Sequence, residues 1–461
     1  MSHPVVIIGA GLAGIAAATR LSAAGSRVVV IESRPRAGGR ATSFVDPRDG
    51  AVLDNCQHVL MGCCTNLLDL YDQLGVLDLI AWHRTIYWAN PPHSPDEMTP
   101  GWLPAPAHFA GSFARLRFLD AASKRAIARA MWRMIRLGVD GRDHWRGRSF
   151  AEFLRDASQP AEAIARFWHP ILTSACNVPP ERLDAAYGLL VIQEGFLQDA
   201  WSPAMGVPRV PLVKLYERAQ PLIESSRGEV RFGVSALGLA FDGARISAVV
   251  TDAGSVECSA VISTLSPERL SKICSGTLVA AESRLCRLGE FASSPIVGVH
   301  LFFDQPVMRT PHLVLPGRRT HWLFDKGADQ NGRFHVHAVI SAADEWVDLT
   351  EDEIAQRVVE DLWWALPNAR GLAPLAVRSV KERRATFACT PGIDALRPSA
   401  ARDGVRGGVA NLILAGDWCA TGWPGTMEGA VRSGNVAAAV LGARGVVADV
   451  PSALLARALG L

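Results

Sequence analysis

The sequence has no Cys-x-x-Cys pair, no uninterrupted apolar run near the ~18 residues that span a bilayer, and no surplus of one charge. Its nine cysteines lack the even spacing of a secreted disulfide scaffold, and the vicinal Cys63 and Cys64 cannot easily bridge or chelate. Reduced, buried thiols are expected, as in a cytoplasmic protein. Lys plus Arg number 47 against 45 Asp plus Glu, a net charge of +2, which argues against a surface given over to nucleic acid. Met1-Ser2-His3-Pro4 carries no basic leader and runs straight into an apolar segment. The expected location is therefore cytoplasmic, in solution or at the inner face of the membrane. No Ser/His/Asp order, metal-ligand spacing or carboxylate pair offers a mechanism, so no metal is expected. Tyrosine is scarce: 4 residues against 13 tryptophans and 16 phenylalanines. Such a mix gives large apolar faces with few phenol groups, which suits an apolar pocket as well as ordinary core packing.

What is present begins with size. At 461 residues, 49% apolar and 20% charged, the chain is long enough for about three globular domains. Forty-one glycines and 28 prolines imply many turns between short elements.

Val5-Val6-Ile7-Ile8 is a β-branched run of the kind a parallel strand buried on both faces requires. Gly9-Ala10-Gly11-Leu12-Ala13-Gly14 follows, then a helical pattern to Ala24, a stop at Gly25, and a second apolar run from Arg27 to Ile31 ending at Glu32. This is a complete strand, GxGxxG, helix, strand, acid order. Gly9 permits the tight turn, Gly11 lets the backbone approach a pyrophosphate, and Gly14 lets helix and strand pack closely. The helix N-terminus offers N–H groups and partial positive charge to the phosphates. Glu32 stands where a carboxylate accepts both ribose hydroxyls, and it would repel a 2′-phosphate.

The next residues separate FAD from NAD. Ser33-Arg34-Pro35-Arg36-Ala37-Gly38-Gly39-Arg40 forms a tight loop whose arginine can reach a pyrophosphate as a fork donor. Glu32 through Arg40 resembles the E-x-R-x-R-x-G-G-R stretch of the FAD-dependent amine oxidase and phytoene desaturase superfamily, which implies FAD. Near the other end, Asn411–Ala415 reads as a strand into Gly416-Asp417, and Thr426-Met427-Glu428-Gly429 opens a helix rich in small residues. This resembles the superfamily's C-terminal flavin motif. The resemblance implies that Asp417 binds the ribityl or pyrophosphate side and that Met427 offers its N–H near the flavin carbonyl, with Gly416 and Thr426 beside them. A helix N-terminus there would stabilise negative charge on reduced flavin. Glu428 reads equally as a helix-dipole partner or a catalyst. By the same resemblance Val234, after the strand Glu229–Val234, contacts adenine through its backbone.

Asp54 to Cys64, with Lys381 to Phe387 and both end motifs, resembles the squalene-associated FAD-dependent desaturase family, whose members are hydroxysqualene dehydroxylases. The resemblance implies an α/β fold: a discontinuous Rossmann-type FAD-binding domain with a parallel sheet (1–90, 205–285 and 400–461) and a mixed α+β substrate domain (91–204 and 286–399). It further implies reduction of the allylic hydroxyl of hydroxysqualene to give squalene, within squalene and hopanoid synthesis and near the enzymes that act upstream. Rival readings are a carotenoid-type desaturase on a long polyene, an amine oxidase, and a flavin-free lipid escort. His58 either protonates a leaving hydroxyl or is hydrogen-bonded to backbone beside the cofactor. Trp88, Trp168, Trp201, Trp322, Trp418 and Trp423 are candidates to face a substrate cation, or are core.

From Phe113 to Phe150 there are ten Lys and Arg against Asp120, Asp140 and Asp143. At ~100° per residue, Arg125, Arg129, Arg133 and Arg136 share one helical stripe, with Ile127, Met131, Met134 and Ile135 opposite. Such a helix either meets an anionic membrane surface or covers the substrate domain with a solvated basic face.

Overall fold

A computed structural model describes residues 3–400 and 408–461. Residues 1, 2 and 401–407, which fall in the expected FAD-binding segments, lie outside the described residues. Five parallel strands form one sheet in the order Glu229–Phe232, Val28–Glu32, Val5–Ile8, Ala260–Ser263, Leu412–Leu414. Val5–Ile8 and Val28–Glu32 are buried along their whole length, as β-branched strands covered on both faces must be. The sheet thus draws strands from the two ends and the middle of the sequence. The carboxyl ends of its strands carry Gly9, Glu32, Gly233, Thr264 and Ala415, the edge where open α/β sheets bind ligands.

Helices Leu12–Ala23 and Met427–Val440 pack against each other at small residues. A Cβ built on Gly434 would lie 2.2 Å from the Ala13 carbonyl oxygen, so only glycine allows this approach.

A second, seven-stranded sheet runs in the order Ala376–Phe387, Ser293–Phe303, Phe334–Ser341, Trp322–Ala328, His312–Val314, Ile86–Trp88, Asp96–Met98. Ile86–Trp88 joins this sheet through Val314, although the sequence suggested grouping it with residues 1–90. Helical segments occupy 110 to 197, and His169–Cys176 among them packs on strand Phe334–Ser341. Among them Ala121–Leu137 starts at Asp120, whose carboxylate accepts the Ser123 N–H at 2.6 Å, and stops at Gly138 with φ +67°. Its buried face is Ala126, Ile127, Ala130, Met134 and Ile135. All nine cysteines are free. Among the described residues no helix is long and apolar enough to cross a membrane.

Candidate active site

The glycines at the head of the first strand bring two loops into contact. Gly9 has φ +106°, and a Cβ on Gly14 would lie 1.9 Å from the Gly9 carbonyl oxygen. The Gly38 N–H donates to the Ala10 carbonyl at 2.9 Å, and a Cβ on Gly39 would reach within 3.0 Å of Gly11 Cα. The result is a backbone cradle open to a pyrophosphate. Glu32 is buried at its edge: one carboxylate oxygen accepts the Ala10 N–H and the other the Arg34 N–H, each at 2.8 Å. The Ser33 hydroxyl donates to the second oxygen at 3.3 Å. Lone pairs remain on both oxygens for a ribose diol. Val234 donates its N–H to the Glu32 carbonyl at 3.0 Å.

Arg40 ties three distant segments together. It donates to the Ala385 carbonyl at 2.7 Å and to the Asp417 carboxylate at 2.5 Å. Burial works against its charge, but the adjacent Asp417 more than offsets that and holds its pKa above the usual range. Thr426 caps helix Met427–Val440, its hydroxyl accepting the Gly429 N–H at 3.1 Å. The first helical N–H, at Met427, has no intrahelical partner, and Met427 lines the cavity.

These groups surround one end of a continuous cavity of about 1120 Å³. It runs from Gly9, Gly11 and Glu32 past Arg40, His58 and Met427 into an apolar half walled by Ile86, Trp88, Ile171, Phe324 and Val339. Leu12, Ala13, Gly38, Gly39, Gly416, Asp417 and Thr426 also line it, whereas Ala10, Gly14, Ser33 and Val234 stand behind its surface. The tryptophans divide: Trp322, Trp418 and Trp423 line the cavity, Trp88 stands fully buried in its wall, stacked on Phe118 and Phe167, Trp168 is packed in the core, and Trp201 is 41% exposed against Trp82.

His58 lies on the wall with its Nδ1 3.0 Å from the Cys56 carbonyl. A carbonyl only accepts, so Nδ1 carries the proton and Nε2 the lone pair. Burial lowers its pKa, so at neutral pH the ring is held as the hydrogen-bonded neutral form. Glu428 is fully buried and receives the Asn66 N–H at 3.1 Å, the Leu67 N–H at 2.8 Å and Arg432 Nε at 2.7 Å. It therefore caps a different helix, Thr65–Gln73, and joins the two.

Three features are absent from the sequence reading. Behind the Asp54–His58 loop, His300, His335 and His337 form a buried stack, with His300 and His337 rings 4.0 Å apart. His335 and His337 share a strand face by alternation, a signal legible in sequence; their cross-strand register with His300 is not. Glu194, Gly195 and Phe196 enter the cavity wall from a π-helical turn, Gln193–Leu197, a distortion common at functional sites. Gln193 Nε2 donates to the Met134 and Gly138 carbonyls at 2.8 and 2.9 Å, stapling the end of the basic helix to that wall.

Residues 12–441 match the model of the flavin containing amine oxidoreductase family. The chain belongs to that family. It is an FAD-dependent oxidoreductase, and the glycine cradle, the buried Glu32 and the Arg40–Asp417 pair fit that cofactor. A curated protein named hydroxysqualene dehydroxylase, from Sinorhizobium fredii, is 29% identical over 447 residues, covering 95% of this chain and 98% of its own. A 15-cis-phytoene desaturase from an Oncidium hybrid cultivar is 24% identical, covering 94% of this chain and 77% of its own. A redesigned putrescine oxidase, a triple mutant, shares the fold with a TM-score of 0.72 at 21% identity, covering 95% and 98% of the two chains.

Proposed function

We propose that this flavoenzyme reduces the allylic hydroxyl of hydroxysqualene, giving squalene and water. The observation that carries the reading is one cavity in which the FAD cradle opens directly into an apolar, tryptophan-lined half. FAD, bound and reduced, would supply the hydride. The C–O bond breaks as a C–H bond forms, and the departing oxygen takes a proton and leaves as water. The chain's own residues bind and orient. We assign the ribose diol to Glu32, the pyrophosphate to the Gly9–Gly14 and Gly38–Arg40 loops, and the flavin carbonyl to the Met427 N–H. Val234, behind the Glu32 strand end, remains the proposed adenine neighbour through its backbone. Trp322 and Trp423 offer ring faces to a delocalised allylic cation, worth about 0.5–2 kcal/mol each in a dry site. A relative named for phytoene desaturation favours one rival, oxidation of a long polyene by the same cavity. Anaerobic, photoreduced holoenzyme given hydroxysqualene should form squalene as its flavin reoxidises. Consumption of a polyene by the oxidised form, with no squalene from the reduced one, would overturn the proposal.

We also propose that the substrate arrives from an anionic membrane surface, through the basic helix stapled to the cavity wall. Arg125, Arg129 and Arg136 are exposed, and so is Trp132, at 49%. Arg133, on the same stripe, is engaged elsewhere: it pairs with Asp156 and lies 5.4 Å over the Phe153 ring. The variant R125E/R129E/R136E should bind anionic vesicles roughly 100-fold more weakly, since each basic residue near such a surface contributes about 1 kcal/mol. Unchanged vesicle sedimentation would leave the helix as a solvated cover.

A further inference from the structure

The cavity wall that carries Ile171, Phe324 and Val339 also holds a hydrogen-bonded pair, Ser174 and Trp322. Ser174 sits in helix His169–Cys176, between the cavity-lining Ile171 and Ala175. The Trp322 indole N–H donates to Ser174 Oγ at 2.8 Å. An indole nitrogen can only donate, so this bond uses a lone pair of the serine and leaves its proton uncommitted. A helical serine usually donates back to a carbonyl one turn earlier. Among the described residues Ser174 makes no such bond, and Trp322 is its hydrogen-bond partner.

The tryptophan is fixed. Its ring stacks on Phe324 at 5.7 Å and 15°, and its backbone pairs with Val339 across the sheet. The serine is therefore held with an O–H donor at the cavity wall, in company with the apolar Ile171, Phe324 and Val339. Its helix also abuts the flavin side. One turn on, Asn177 Nδ2 donates to Thr386 Oγ1 at 3.1 Å, and a Cβ on Gly425 would stand 3.0 Å from Thr386 Cβ. Gly425 leads directly into Thr426 and Met427.

We propose that Ser174 donates a hydrogen bond to the oxygen of an alcohol substrate, with Trp322 as its positioning residue. This deepens the dehydroxylase reading and rests on it. The contact gives the cavity a means to distinguish an isoprenoid alcohol from the hydrocarbon of the same shape. A product without the oxygen loses the bond and is released more readily, as catalysis in the reductive direction needs.

The test compares two ligands on oxidised holoenzyme, with perturbation of the flavin absorbance as the readout. Wild type should bind hydroxysqualene roughly tenfold more tightly than squalene, the size of one net hydrogen bond in a dry site. Ser174→Ala should bring that ratio close to one while squalene affinity stays at the wild-type value, and Ser174→Thr should restore the preference. Trp322→Phe should lose part of it. A preserved ratio in Ser174→Ala would overturn the inference. So would equal loss of both ligands in Ser174→Ala and Ser174→Thr, the pattern of a structural role. The two proposals fail separately: wild type that prefers the alcohol through Ser174 yet forms no squalene keeps the contact and removes the reaction.

Discussion

Arg40→Leu is expected to purify largely without FAD and to unfold at a clearly lower urea concentration. The reason is geometric. Asp417 is 5% exposed at its side chain, and among the described residues Arg40 is the group that pairs with its carboxylate. Arg40 is 38% exposed, so its removal strands a buried carboxylate at a site that solvent reaches, a loss of about 1–3 kcal/mol. The same guanidinium holds the Ala385 carbonyl, so strand Ala376–Phe387 loses its tie to the cradle. If the pair also meets the cofactor, FAD affinity should fall by at least ~100-fold, the equivalent of about 2.7 kcal/mol. Arg40→Lys should be intermediate, since it keeps the charge but not the two-pronged fork. The measurements are the ratio of 450 to 280 nm absorbance in purified protein, roughly, and FAD titration of the apoprotein. Arg40→Leu that retains wild-type flavin affinity would separate Arg40 from the cofactor, whatever happens to stability.

How much of this was legible in the sequence depends on distance along the chain. At Gly14 and Gly39 a Cβ would collide with Gly9 and Gly11, in the same turn or the adjoining loop, so these glycines are local signals; Gly9 is closed off by Thr264 and Gly38 also by Tyr216, far along the chain. The α/β class follows from the same short segments, since fully apolar β-branched strands need cover on both faces. Long-range pairings were opaque. Glu428 looks like a residue for its own helix, yet it serves Asn66 and Leu67, 362 and 361 residues away. Arg133 lies on the basic stripe by helical arithmetic, and only the packing of Asp156 and Phe153 against it commits its charge to a partner within the fold. Helical periodicity fixes which face a residue takes, but not what is packed there. The tryptophans were equally undecidable, because Trp168 and Trp322 have the same composition signal and differ in what surrounds them. Trp168 finds Gln159 in the core, while Trp322 finds Ser174 on a cavity wall.

Acidification should destabilise the fold steeply below neutrality, through histidines that the cores hold neutral. Burial pushes His300 and His312 down to about 4 and His321 down to about 3, and it drives His335 and His337 well below the usual range with help from neighbouring imidazoles. The Asp54 carbonyl accepts from His300 Nε2 at 3.0 Å, which leaves His300 Nδ1 to accept from His335 Nε2 at 2.9 Å. Both neutral tautomers are thereby fixed, and Lys326 nearby opposes any added charge. In the unfolded chain each imidazole protonates near 6.5, so the unfolded state binds more protons as pH falls. Their contribution is fully present above about pH 6.5 and is lost on the way down toward the folded values near 4 and 3. Each contributes a slope of about 1.4 kcal/mol per pH unit, so at pH 5 the three held near 4 and 3 cost on the order of 6 kcal/mol, a large share of the stability of a typical fold, and His335 and His337 act in the same direction. Asp184 and Glu428, whose carboxyls burial pushes up, act in the opposite direction and offset part of this. The urea midpoint should hold steady from pH 8 to 7 and then fall between 6.5 and 5 with a slope equivalent to three or more protons. His337 offers the internal control, because both ring nitrogens are buried without a hydrogen-bond partner. His337→Leu removes a protonation site without breaking a bond, so it should leave stability at pH 7 unchanged or raised and lower the acid slope by about one proton. A midpoint that stays flat down to pH 5 would mean that these rings are not held neutral, and the stacked arrangement would have to be abandoned.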